Sequence, residues 1–200
     1  MQSKSASVII LSGGTSTRFG SDKSAALIGG ESLIARILRS IPKGFEIIIV
    51  GPDPNIYSSQ YLCVVEKPMG GGPVAALKAG LDIAASHMVA LIATDMPFAP
   101  PRVINLLNYM RAHDDAVMYV DDKGFKQPLA ALYRVESLER AFAEMGEVDG
   151  KSMKELISHL RVQEVLMSDE VARALLDIDT QADLDRAIAF DAQVADNEAL

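Results

Sequence analysis

Two hundred residues with 49% hydrophobic content can bury one substantial core, the size of an ordinary single α/β domain. A single cysteine, Cys63, excludes an internal disulfide and a cysteine-built zinc site, and points to a reducing, cytoplasmic setting. The net charge of −8 argues against nucleic acid as a partner, but it is local: residues 164–200 carry ten acidic residues against Arg173 and Arg186, while residues 1–163 balance 17 against 17. Small anionic substrates therefore remain open to this chain, held by local cations and backbone amides.

In chain order, SVIIL (7–11), EIIIV (46–50), LCVVE (62–66) and MVALIAT (88–94) are continuous apolar runs, as expected of strands covered on both faces. Cys63, inside the third run, reads as a buried strand residue. The first run breaks at glycines, too early for a signal peptide or a membrane span, so no membrane partner is expected. Helical spacing appears at 31–41, at 73–86 with Pro73 in the first turn, and at 100–113 behind two prolines. After residue 114, DAVMYVD and KQPLAALYR flank the turn signal DKG (122–124). Helical stretches follow at 135–145 and 151–160, then a strand at 162–167. A last helix lies within 174–190, with Thr180 and Asp183 as an approximate capping box. The alternation predicts a Rossmann-like α/β fold: a mostly parallel sheet with helices on both faces. One domain is expected over residues 1–190, with 191–200 as a flexible acidic tail.

The chemistry concentrates in LSGGTSTRFGSDK (11–23), directly after the first strand. Gly13 and Gly14 let backbone approach a ligand, Thr15 adds a hydroxyl, and successive N–H groups can form an anion-binding nest. Arg18 and Lys23 supply positive charge to phosphate oxygens. The spacing is neither a Walker loop nor GxGxxG, and the plain alternative is a glycine-rich surface loop with solvated charges. Asp95 follows the strongest strand, at the end where open α/β sheets bind ligands. Its alternative is a turn-initiating Asp before a proline-containing loop.

Taken together, the segments resemble the molybdenum-cofactor nucleotidyltransferases. LSGGTSTRFGSDK is similar to their LxGGxSxRMGxDK signature, with Phe19 where methionine is usual. EKPMGGGPVAALKAGL is similar to their GPLAGLLAGL-type segment, ATDMPF to their DxP strand end, and DIDTQADLDRA to their closing DiDTpeDL pattern, in matching order over residues 6–190. The resemblance implies a nucleotide-diphospho-sugar transferase type of fold and transfer of GMP from GTP to molybdopterin, with release of pyrophosphate. It makes Asp95 the ligand of a Mg2+ cofactor and Arg18, Lys23 and Asp95 the catalytic groups. The nucleotide would be bound by Leu11, Ser12, Gly13, Gly14, Thr15, Arg18, Lys23, Gly51, Glu66, Gly72 and Asp95. Gly51 stands where an asparagine is common and Glu66 where an Asp is frequent. Molybdenum-insertion and molybdoenzyme-maturation proteins are the protein partners implied.

Lys126, Gln127 and Lys151 fall where family members approach the pterin substrate, although solvated surface charge explains the two lysines equally well. Asp177 and Asp179 have two readings, a second metal carboxylate or, more in keeping with the helix cap beside them, a structural role. LSGG at 11–14, against LAAG in cytidylyl relatives, favours GTP over CTP, since Gly13 leaves room for a purine. The rivals are a molybdopterin cytidylyltransferase, a nucleotidyltransferase with another small phosphorylated acceptor, and a nucleotide-binding accessory protein without turnover.

Overall fold

The computed structural model describes residues 6–13, 26–56 and 60–198. In chain order the elements are β1 (Ser7–Leu11), a small hairpin of β2 (Leu27–Ile28) and β3 (Glu31–Ser32), and helix α1 (Leu33–Ser40). Next come β4 (Glu46–Val50), β5 (Leu62–Val64), α2 (Gly72–Leu81), β6 (Met88–Ala93) and α3 (Pro100–Asn105). The second half adds β7 (Ala116–Val120), β8 (Lys126–Arg134), α4 (Val135–Met145), α5 (Met153–Ser158), β9 (Val162–Leu166), α6 (Asp169–Ala174) and α7 (Gln181–Glu198). Seven strands form one sheet in the order β5-β4-β1-β6-β8-β7-β9. Only β8 runs against its neighbours; the other pairings are parallel. The expected mostly parallel sheet with helices on both faces is the fold observed.

The strand runs divide by the two-residue period of a pleated sheet. Val8, Ile10, Ile49, Ala90 and Ile92 point into a core shared with Ile37 and Leu38 of α1 and Val103 of α3. Ile9, Ile48, Val50, Val89 and Leu91 point the other way, against Leu77 of α2, Leu138 and Phe142 of α4, and Leu156 of α5. A third, smaller apolar cluster joins Ala26, Ile28 and Leu33 to Ile178, Leu184 and Ala187, with Phe98 against it. On α2 the bare Gly80 packs so closely that an added Cβ would sit 2.9 Å from Ile9 Cγ2.

Several boundaries differ from the sequence reading. The segment 31–41 starts as strand, and Ser32 caps α1 by accepting from Ala35 N at 3.3 Å. The third helix does not reach residue 113: it tightens into a 3-10 turn at Leu106–Asn108 and is closed off where Arg111 N donates to Asp114 Oδ2. Helix α6, absent from that reading, is capped by Ser168, which accepts from Val171 N at 3.3 Å. Cys63 is in a strand, as expected, but exposed, because β5 is the sheet's edge and pairs only with β4.

The end of the chain also needs correction. The expected capping box is present: Asp183 accepts from Thr180 N at 2.8 Å and Thr180 Oγ1 at 2.7 Å, and Asp183 N donates back to Thr180 Oγ1 at 3.2 Å. The helix it starts does not end at residue 190, however, but runs on to Glu198. Asp191, the first residue of the expected tail, is tied to Arg36 on α1. No helix among the described residues is long and apolar enough to cross a membrane.

Candidate active site

The chain leaves β1 outward to β4 and later returns to β1's other side as β6, so the sheet's topological switch point lies beyond the carboxyl ends of β1 and β6. Open α/β sheets bind ligands in that crevice. Leu11 ends β1 there. Its carbonyl accepts two hydrogen bonds from Thr94, from the backbone N at 3.1 Å and from Oγ1 at 2.7 Å. Thr94 thereby fixes the start of the glycine loop against the segment carrying Asp95. The sequence reading passed over Thr94, whose only signal was a hydroxyl immediately before the strand-end Asp.

On the other side of β1, Ser12 N donates to Val50 O at 2.8 Å, and the next residue of β4's exit, Gly51, is buried. Gly51 has φ +135°, and a Cβ there would lie 2.9 Å from the carbonyl carbon of Ser12 and 3.1 Å from Gly13 N. A bare α-carbon is what lets β4's exit press on the Ser12–Gly13 peptide. Gly13 itself is exposed and lies outside the positive-φ region; an added methyl would meet Glu66 Oε1 at an ordinary 3.8 Å.

Glu66 is only 7% exposed, and its Oε1 accepts from Gly70 N at 3.1 Å, so it shapes the glycine turn that leads into α2. That turn is clasped from outside. Gly150 N donates to Gly71 O at 2.9 Å, and a Cβ on Gly71 would stand 3.0 Å from Asp149 Oδ1. Gly72, with φ +87°, opens α2, and a Cβ there would lie 3.9 Å from Lys151 O. The clasp by residues 149–151 explains how Lys151 reaches this end of the sheet.

Lys126 and Gln127 open β8, which is antiparallel, so its first residues lie at the same end as the last residues of β6. Lys126 Nζ pairs with Glu164 at 3.0 Å and Lys151 Nζ with Glu155 at 2.6 Å. Ion pairs this accessible contribute about 0–1 kcal/mol, so either ammonium can be exchanged onto a more strongly held phosphate. Gly14, Thr15, Arg18 and Lys23 lie outside the described residues.

Asp95 is half-buried, two residues beyond β6, and its carbonyl accepts from Ile178 N at 3.0 Å. Ile178 is fully buried, so Asp177 and Asp179 flank a residue docked on the Asp95 loop. Their own segment is held by Asp183, which also accepts from Asp179 N at 3.2 Å and pairs with Arg186. The Thr180 hydroxyl, above all, holds the Asp183 carboxyl below the usual carboxylate range. No three His, Cys, Asp or Glu side chains converge as a metal cage among the described residues. Magnesium in phosphate-transfer sites needs no such cage: one or two carboxylates, water and phosphate oxygens complete its shell, and Asp95 at the switch point fits that mode.

At the opposite end of the sheet, buried Asp115 accepts from Ser137 Oγ at 2.7 Å and Arg161 N at 2.9 Å and pairs with Arg140 and Arg161. Burial would raise its carboxyl, but these donors, Arg161 foremost, hold it well below the ordinary range. The cluster ties β7, α4 and β9 together and lies away from the crevice.

The end of β1 at Leu11–Gly13, a strand-end carboxylate and a second glycine turn meet at one end of a mostly parallel sheet, and the family match makes the chain a nucleotidyltransferase. The chain belongs to the MobA-like NTP transferase domain family, whose model matches residues 8–184. It is 28% identical to the "Probable molybdenum cofactor guanylyltransferase" of Natronomonas pharaonis over 193 residues, covering 90% of this chain and 95% of that one. It is 33% identical to the protein of the same name from Peptoclostridium acidaminophilum, covering 77% of this chain and 73% of that one. Among solved structures, the molybdopterin-guanine dinucleotide biosynthesis protein A of Archaeoglobus fulgidus superposes with a TM-score of 0.70 at 22% identity, covering 94% of this chain and 99% of that one.

Proposed function

We propose that this protein transfers GMP from GTP to molybdopterin in a magnesium-dependent reaction. A terminal phosphate oxygen of molybdopterin forms the new bond to the α-phosphorus of GTP, the α–β phosphoanhydride bond breaks, and pyrophosphate carries off the electron pair. The observation that supports this most is the pair of hydrogen bonds from Thr94 to the Leu11 carbonyl, which brings the start of the glycine loop and the Asp95 segment together at the switch point. Such a transfer depends on positioning and charge neutralisation more than on a covalent intermediate.

In this reading Arg18 and Lys23 hold the triphosphate, together with amides of the glycine loop. Glu66 and the turn through Gly72 border the base and ribose. Lys126, Gln127 and Lys151 face the pterin phosphate from the other side of the crevice. Asp95 holds magnesium, which when bound supplies positive charge at the α-phosphate. The curated relatives' names favour guanine, and so does Gly13, which keeps space free at the loop's start.

Pyrophosphate release measured with each nucleoside triphosphate, with and without molybdopterin, tests the reading. Release is expected only with both GTP and molybdopterin present; preference for CTP overturns the guanylyl assignment. Gly13→Ala sharpens the result. Because Gly13 has no positive φ and, among the described residues, the new methyl meets Glu66 at an ordinary 3.8 Å, strain from that side is not expected. A fall in the GTP-to-CTP ratio would then report steric exclusion of the purine nucleotide, whereas equal losses with both would assign Gly13 to the phosphates.

A further inference from the structure

Arg36 is a buried charge outside the residues assigned to the site above. It stands on α1 and is 8% exposed. Its Nη1 lies 2.7 Å from Asp191 Oδ1, and its Nη2 donates to Asp191 Oδ2 at 2.7 Å, a two-pronged pair between α1 and α7. Nη2 also reaches the Ile28 carbonyl at 3.5 Å, on the strand where the chain returns from the phosphate loop. The guanidinium stacks on Phe98, 5.0 Å from the ring centroid, three residues after Asp95. Phe98 in turn meets Phe190 of α7 edge to face, at 5.0 Å and 87°. The hairpin turn packs on the same pair: a Cβ on Gly29 would lie 3.1 Å from Asp191 Oδ2.

Around this pair lies the third apolar cluster, which includes Ile178, the residue whose N–H holds the Asp95 carbonyl. One guanidinium therefore touches two segments, β2, which follows the glycine loop in the sequence, and the loop leaving Asp95. A buried ion pair is a poor way to gain stability, since apolar side chains of similar volume commonly do as well or better. What a forked, planar group offers instead is a fixed geometry among several partners.

We infer that Arg36, latched by Asp191, is a positioning residue that sets the phosphate loop's return against the Asp95 loop. Its role in nucleotidyl transfer rests on the function proposed above. Opening the latch loosens both segments while leaving the main sheet intact. The triphosphate then binds a less organised site, and KM for GTP rises more than kcat falls.

The test uses Asp191→Asn in the full chain, which keeps the side-chain size and removes the charge. Hydrogen exchange is followed in peptides covering 26–33 and 94–99, with 46–50 and 88–93 as internal controls. About tenfold faster exchange is expected in the first two, with the control strands within about twofold of wild type. KM for GTP should rise about tenfold, and Asp191→Glu, which restores the charge, should recover most of the loss. Exchange unchanged in 26–33 and 94–99, or accelerated equally in the control strands, overturns the latch. A wild type that turns over no nucleoside triphosphate overturns the functional reading and the positioning role with it. That failure shows before any substitution is made, so the two are distinguishable.

Discussion

Asp95→Asn is expected to abolish magnesium-dependent pyrophosphate release while leaving the protein folded. The substitution removes one negative charge at nearly constant volume. The backbone bond that docks this loop, from Ile178 N to Asp95 O, does not involve the side chain, so the loop's path should persist. A bound metal's stabilisation of developing charge is worth several kcal/mol, which at about 1.4 kcal/mol per decade corresponds to a rate loss on the order of a thousandfold. Initial rates across a magnesium titration, with a thermal melt of the same sample, check this. Activity near wild type in ordinary magnesium would return Asp95 to a turn-forming role, and a collapsed melting temperature would assign it to folding.

How well the sequence announced these features depended on how local their causes are. The runs of β1, β4 and β6 were legible because strands buried on both faces need unbroken apolar residues, and most of those side chains are buried. The Thr180–Asp183 cap was legible because both partners lie within one turn. Cys63 misled because LCVVE has the same apolar character as a central strand, and only the strand order makes it an edge. The extent of α7 was hidden because Asp191, at the start of an acidic segment that looks solvated, finds its partner 155 residues earlier. The clasp of residues 149–151 on Gly71 and the Thr94–Leu11 bond are likewise contacts between distant segments, without a local pattern to mark them. The sheet's strands could thus be read in advance, whereas the bonds that hold their ends in register could not.

The same distinction governs Gly51, which stands where the resembling family commonly has an asparagine, and the geometry shows why no side chain fits here. Gly51→Ala meets two penalties. At φ +135° an L-residue is strained, at a cost of roughly 1–3 kcal/mol. The new Cβ would also stand 2.9 Å from the Ser12 carbonyl carbon and 3.1 Å from Gly13 N, both backbone atoms that cannot swing aside as a flexible side chain would. Relief requires β4's exit to part from Ser12–Gly13, working against the bond from Ser12 N to Val50 O and the bond from Gly51 N to Val64 O. A combined loss of about 3 kcal/mol should lower the melting temperature by roughly 6–12 °C for a domain of this size. Because the displaced peptide starts the phosphate loop, KM for GTP should rise in whatever fraction remains folded. Gly80→Ala is the useful control, since its Cβ would crowd Ile9 and Val50 in the core at similar distances without touching the Ser12–Gly13 backbone. Comparable destabilisation in both variants, with the rise in KM confined to Gly51→Ala, would show that Gly51 positions the loop. Equal KM in the two would reduce it to a packing residue.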